Sequence, residues 1–560
     1  MRRFRIRTRA LVLAAAAAAS LALTSCTAIP SSGPVQVGAQ DLQQAEQPVQ
    51  FNAAGPASGS SQEDVVRGFV LAAVSSADDY GTAREFLSPD YAKQWDPSSN
   101  VLVDDGSRPY TENDDGSGTL EISALATVDA EGFMLPVEPG ANTELRFELE
   151  RVGGEWRISS APNGIILDTT TFTTIWAPHQ LYFVGPGGIM VPETRWFMTR
   201  SALPTEIVSA LLEGPGERMS GVLHSGFPSG TTLVMNSVPI ENGRAQVDLS
   251  GNLLEAGTTA MAEIRQQLRL SLQTVQSVNG YDLSAEGTQI RSEARNDAVE
   301  PRLLNDVTDP AVLVDEQFGA IVAGQFVAAP GFATSLSDYE PSAITLNPEG
   351  DAAAILNAQG VTRVDALGVV PIDERDGLLD PMFDAFDFIW TVQASAPQTL
   401  RATTREGSVI EIAAPWLAGR TPVAVRLSPD GMRIAALVRD EQGSQVLVAG
   451  VERDAEGLPV RTTDEADVHL WTSGAPVDLD WVGQTRFAVL SKADSTSRVT
   501  IGGIGLISAE QGAVQGGVQL AGGSARSQLR VLSSKGDLYA SQGSGWQRAV
   551  TGIELLAKHG

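Results

Sequence analysis

Apolar residues recur at two spacings along this chain, and the change of spacing divides it. Behind Ser61-Gln62-Glu63-Asp64, which has the form of a capping box, Val65, Val66, Phe69, Val70, Ala73 and Val74 follow at helical intervals, so a helix is predicted to start there. A second short helix is expected at 83–87, stopped by Ser88-Pro89. Beyond the acidic, Gly-rich stretch 104–118 the period falls to two: Leu120, Ile122 and Ala124 alternate, as do Leu145, Phe147 and Leu149. Gly153-Gly154 then turns the chain into a strand carrying Trp156 and Ile158. Helices followed by long antiparallel strands predict an α+β domain over 61–165.

A second α+β unit is expected over 168–290. Leu181–Val184 and Thr194–Met198 read as strands around the Gly185-Pro186-Gly187-Gly188 turn, and further strands are expected at Thr232–Met235 and Ala245–Leu249. Pro204 stands where a first helical residue belongs, Ile207, Val208, Leu211 and Leu212 form one face, and Gly214-Pro215 ends that helix. A longer helix is predicted over Thr258–Val278.

From 307 to 560 no long helical period occurs, only short alternating runs between Gly, Asp and Pro turns. Three segments align: Leu346-Asn347-Pro348-Glu349-Gly350-Asp351, Leu427-Ser428-Pro429-Asp430-Gly431-Met432 and Leu532-Ser533-Ser534-Lys535-Gly536-Asp537. The first two lie about twice a propeller-blade length apart, so an all-β propeller of five or six blades is predicted, with Trp390, Trp471, Trp481 and Trp546 in blade cores. A β-sandwich is the alternative that short strands and turns also suit.

The N-terminus changes the picture from a soluble chain to an exported one. Arg2 to Arg9 form a basic region, Ala10 to Leu23 an apolar run, and Leu23-Thr24-Ser25-Cys26 has the form of a bacterial lipobox. The apolar run is shorter than the roughly 20 residues that span a bilayer. Residues 1–25 are therefore expected to be a removed signal peptide, and Cys26, the sole cysteine of 560 residues, the lipid-attachment site. Residues 26–60, rich in Ser, Gly, Pro and Gln, read as a lipidated tether. The expected location is the extracytoplasmic face of the cell membrane. Without the five arginines of the signal, 34 basic residues face 68 acidic ones, a net charge of −34. Such a body is repelled by phosphate backbones, so nucleic acid is excluded as a partner.

Catalytic chemistry is not evident. His179, His224, His469 and His559 are far apart in sequence, and no H-E-x-x-H, G-x-S-x-G or Walker pattern occurs. Asn113-Asp114-Asp115-Gly116-Ser117-Gly118 lacks the alternating ligands of a calcium loop and reads as a solvated turn. Gly503-Ile504-Gly505 lacks the remainder of a dinucleotide fingerprint and reads as a strand or turn feature. His224 lies in a Gly/Pro-rich loop, 224–230, of a kind that can shape a ligand pocket, but with no catalytic partner in view it reads as packed beneath a neighbouring strand. No catalytic residue, metal site or cofactor is expected.

Leu181-Tyr182-Phe183-Val184, Ala210 to Pro215, Phe227-Pro228-Ser229-Gly230-Thr231 and Val247-Asp248-Leu249-Ser250 resemble a GerMN domain, and the first α+β unit resembles an NTF2-like cone. With the lipobox, Ile29-Pro30-Ser31-Ser32-Gly33-Pro34-Val35 and the expected propeller, the chain resembles the LpqB family of actinobacterial lipoproteins. That resemblance implies a non-enzymatic, membrane-anchored accessory regulator of the MtrA/MtrB two-component system, contacting the ectodomain of the sensor kinase MtrB. A passive peptidoglycan-binding lipoprotein and a cell-wall hydrolase are the alternatives. Cys26 is the one site residue that the resemblance transfers.

Overall fold

Ser61 starts the first helix as its sequence predicts. In the computed structural model, which describes residues 54–200, 202–290, 309–329, 331–332, 334–439, 443–493 and 496–560, Ser61 Oγ accepts from the Asp64 backbone and Asp64 accepts from the Ser61 backbone. The helix α1 (Gln62–Ala72) buries Val65, Val66, Phe69 and Val70 against a sheet of β1 (Asn100–Asp104), β2 (Tyr110–Glu112), β3 (Gly118–Asp129), β4 (Met134–Pro136), β5 (Asn142–Val152), β6 (Glu155–Ser160) and β7 (Ile165–Asp168). Its path runs β6-β5-β3-β1-β7, antiparallel except for the parallel β1–β7 pair, with β2 and β4 added along β3. Buried and outward residues alternate along β3, so one face meets α1 and the other faces away. The helix expected at 83–87 instead occupies Gly81–Arg84 (α2). The reason lies in the edge strand: Ser88 donates to the Ile158 carbonyl at 2.8 Å, and Ile158 donates to that of Phe86 at 2.9 Å, so this backbone serves β6.

Asp168 caps α3 (Thr169–Ile175) by accepting from the Thr170 and Thr171 backbones. A long hairpin follows, β8 (Trp176–Gly185) with β9 (Ile189–Met198). It exceeds the expected strands because the added pairs, such as Pro178 with Trp196, do not alternate in polarity. In α4 (Leu203–Glu213) Pro204 is the second rather than the first residue, and Gly214 at φ 103 ends the helix. The strand expected at Thr232–Met235 reduces to one bridge, Leu233 to Leu249, with Val234 and Met235 exposed. β10 (Ile240–Glu241), β11 (Arg244–Leu249), β12 (Gly280–Ala285) and β13 (Thr288–Gln289) form a second sheet, in which α5 (Thr258–Leu272) connects the parallel pair β11–β12. α5 stops six residues before the expected Val278. Thr274 Oγ1 bonds back to the Ser271 carbonyl there, a local alternative to continuing the helix, while Val275 and Val278 still reach the core.

The remaining described residues form six sheets of four or five strands, beginning at Ala311, Ala343, Met382, Thr421, Ala475 and Gly517. Successive apolar clusters join neighbouring sheets, and one cluster joins the sixth, through Leu532 and Leu538, to the first, through Val312 and Ile321. This is a closed, β-propeller-like ring. Leu555–Leu556 supplies a strand to the first sheet and Lys558–His559 runs parallel to Ala343–Leu346 in the second, so the end of the described chain ties the two together. All three aligned hairpins form, each with its glycine at φ between 72 and 79. The third differs in position, however. It joins the second and third strands of its sheet, whereas the other two join the first and second. Tight antiparallel turns call for the same residues wherever they occur, so the motif marks a turn type and not a place in the blade. Trp390 and Trp481 are buried, while Trp471 and Trp546 are only partly so.

Candidate functional site at a three-domain junction

Cys26 lies outside the described residues. The four histidines remain separate: His179 Nδ1 meets Thr274 Oγ1 at 3.1 Å, and His224, whose backbone pairs with Val184, leaves its ring half exposed, 3.6 Å from Glu263. His559 and His469 sit in the propeller-like ring. Among the described residues no three His, Cys, Asp or Glu side chains gather as a metal-holding group. Asp115 of the acidic turn is already occupied by Ser117 and by Arg146.

What the structure does bring together is a set of residues around β9. The turn between β3 and β4 reaches it with Gly132 and Phe133. The Trp196 backbone donates to the Gly132 carbonyl at 2.8 Å, and a methyl group at Gly132, which sits at φ +87, would lie 2.6 Å from the Trp196 carbonyl. Only glycine permits that approach. Phe133 lies under the buried Arg195 guanidinium, 4.6 Å from ring centre to Cζ, and Arg195 also donates to Gly214 and pairs with Glu193 at 3.3 Å.

The other side of β9 meets the ring. Trp196 Nε1 donates to the Gly505 carbonyl at 2.7 Å. Arg433, also buried, donates to the Pro192 carbonyl at 2.6 Å. Its neighbour Met432 is fully buried within the apolar core of the second α+β domain, against Gly185. Arg218 pairs with Glu465 and, at 3.2 Å, with Asp467. Between these contacts lies a cavity of about 270 Å³ walled by all three domains.

Comparison with known proteins bears on the whole arrangement. Residues 55–173 match the model "Lipoprotein LpqB, N-terminal domain", 180–291 match "Sporulation and spore germination", and 319–555 match "Lipoprotein LpqB beta-propeller domain". Lipoprotein LpqB of Streptomyces coelicolor is 26% identical over 523 residues, covering 84% of each chain, and that of Mycobacterium bovis is 26% identical over 477 residues, covering 78% of this chain and 79% of its own. The chain belongs to the LpqB lipoprotein family. Among solved structures, the first GerMN domain of the sporulation protein GerM from Bacillus subtilis is similar over 22% of this chain and 93% of its own, at 19% identity and a TM-score of 0.19. TolB from Acinetobacter baumannii is similar over 45% and 66%, at 11% identity and a TM-score of 0.32.

In this LpqB-family chain the junction uses residues that read as ordinary in sequence. Trp196 and Phe133 look like core aromatics, and Gly505 like a turn. One signal was available: Met432 stands where the other two aligned hairpins carry Asp351 and Asp537. An apolar residue at a turn whose copies are acidic marks a covered surface. No helix among the described residues of this LpqB-family chain is long and apolar enough to cross a membrane.

Proposed function

We propose that this protein is lipidated at Cys26 and held at the extracytoplasmic face of the cell membrane, where it acts as a non-enzymatic accessory regulator of MtrA/MtrB by contacting the ectodomain of MtrB. The observation that carries the reading is the union of a lipobox cysteine with a folded body whose three domains interlock through Trp196, Met432 and Arg433. Residues 26–60, rich in Ser, Gly, Pro and Gln, have the composition of a tether between the lipid and the folded body. Confinement to the membrane raises its effective concentration beside a kinase ectodomain, so a weak contact becomes occupied. The first domain, with α1 against a curled sheet, is read as an NTF2-like cone. The net negative body favours a basic patch on the partner, with an association rate that falls as salt rises.

Capture of the full-length protein from membranes with the MtrB ectodomain as bait tests the contact. Retention that weakens with salt supports it. Absence of retention, together with capture by purified peptidoglycan, favours the wall-binding reading instead. Palmitate labelling lost in Cys26→Ala, with release of the variant into the medium, is the expected result for the anchor.

A further inference from the structure

We propose that the edge of the second domain's sheet beside β11 is a docking surface for a basic, apolar segment of a partner protein. The stretch from Thr231 to Ile240 carries no charged residue. It meets β11 at two places: the Val234 backbone donates to the Asp248 carbonyl at 3.0 Å, and the Gln246 backbone donates to the Pro239 carbonyl at 2.9 Å, while 235–237 bow outward between them. The bow is fixed at its far end, where Val238 is buried and its N–H donates to Thr205 Oγ1 of α4 at 2.9 Å. Val234 and Met235 stand 48% and 59% exposed, and Ile240 follows at 37%. Leu254, 66% exposed, joins them from the 3₁₀ turn Gly251–Glu255, which is tied to the start of the stretch by Ser250 to Thr232 and by Asn252 Nδ2 to the Ser229 carbonyl. Large apolar side chains gathered along one edge make a patch, unlike singly scattered ones. The bow and Pro239, which has no N–H, make this edge poor for strand addition, so side chains and not backbone carry the contact.

Charge decides the occupant. Glu241 follows Ile240, Glu255 follows Leu254, Asp248 lies opposite Val234, and Glu286 lies against Gly251, where an added methyl group would stand 3.0 Å from its Oε1. Among the described residues none of these four carboxylates is ion-paired. Asp248 accepts from Ser284 Oγ and the Gly287 backbone, which leaves its charge uncompensated. Arg244, opposite Glu241 in the register, is drawn to Asp282 at 2.7 Å. An apolar strip rimmed by uncompensated carboxylates attracts a segment whose apolar side chains are flanked by lysine or arginine. A second copy of this chain would set the carboxylates against their own kind, and an anionic lipid surface would meet like charge, so neither fits.

The test is fluorescence-anisotropy titration of the full-length protein, held in phosphatidylcholine nanodiscs, with a labelled peptide in which a short leucine and valine run stands between two lysine triplets. Saturable binding is expected, with a glutamate-flanked peptide and a peptide with serine in place of the apolar run each at least about tenfold weaker. Binding of the lysine peptide should also fall as salt rises. Val234→Ser combined with Met235→Ser, both at exposed positions, should weaken it at least about fivefold at an unchanged melting temperature. Glu241→Gln combined with Glu255→Gln should weaken it and flatten its salt dependence. No saturable binding at millimolar peptide, equal binding of the glutamate-flanked peptide, or unchanged affinity in the folded serine variant overturns the proposal. Pairing of loaded nanodiscs that rises with concentration and is lost in the serine variant would assign the surface to a second copy and overturn it as well. The readout involves no kinase, so it stands or falls apart from the regulatory reading.

Discussion

The indole N–H of Trp196 donates to the carbonyl of Gly505, 309 positions later in the chain, at 2.7 Å. The same residue donates its backbone N–H to Gly132, and its ring lies 4.7 Å from that of Phe172. One side chain on β9 thus contacts the first domain and the propeller-like ring together. Trp196→Phe keeps most of the ring and removes only the indole donor, leaving the buried Gly505 carbonyl short of a partner. A loss of about 1 kcal/mol is expected, and Trp196→Ala should lose about 3–5 kcal/mol, both measured by urea unfolding. Trp196→Phe as stable as wild type would show that the bond contributes nothing.

Met432 fills the second domain's core from a turn of the ring. Met432→Asp, which restores the residue of the other two hairpins, places an unpaired carboxylate in an apolar site. A loss of about 3 kcal/mol or more is expected, with protease cleavage appearing first near residues 428–433. Met432→Leu should cost less than about 1.5 kcal/mol. If Met432→Asp and Met432→Leu unfold alike, the turn is not inserted as described.

Acid should loosen the junction through His469. Its folded pKa, about 4, lies below the ordinary 6.5, so between these values the unfolded chain binds more protons than the folded one. Stability therefore falls as pH drops from about 6.5 toward 4, by about 2 kcal/mol from this group at pH 5, and nothing is lost above 6.5. Burial lowers His559 to about 4 as well, which acts in the same direction. Stability curves of wild type and His469→Gln should converge as pH falls from 7 to 5. Parallel curves would contradict the assignment.

Near the inner strands of the ring, Lys558 Nζ meets Asp478 at 2.5 Å and Asp380 at 3.8 Å, while Arg426 pairs with Asp380 at 2.7 Å. Asp478 also accepts from the Leu520 backbone at 2.8 Å, linking fifth and sixth sheets. Asp478→Ala leaves the buried Lys558 ammonium with the more distant Asp380 as its one carboxylate partner, and should cost about 3 kcal/mol in thermal or urea unfolding. Combining it with Lys558→Met should recover part of that loss. No recovery would mean that the charge pair is not what Asp478 contributes.

The chain's periodicities made the large divisions legible, because helical and strand spacings depend on local burial, and both Ser61 and Gly214 act as their chemistry predicts. Element ends were less legible wherever a distant backbone competes, as Ile158 does for Phe86 and Ser88. The junction was hidden for the same reason: Trp196, Gly132 and Gly505 meet only through tertiary structure. The β-bulge at His469, where Val446 pairs with Leu470 and Leu447 with Val468, could not be read, since a bulge is a property of two paired strands and not of either sequence alone.

Regulation of MtrB by this protein is tested most directly by phosphotransfer. In membranes carrying MtrB and MtrA, phosphotransfer to MtrA should change when the full-length lipoprotein is present, and the change should be lost with Cys26→Ala, which would remove the proposed anchor and leave the folded body. Equal phosphotransfer with and without the lipoprotein, at matched kinase levels, would contradict it.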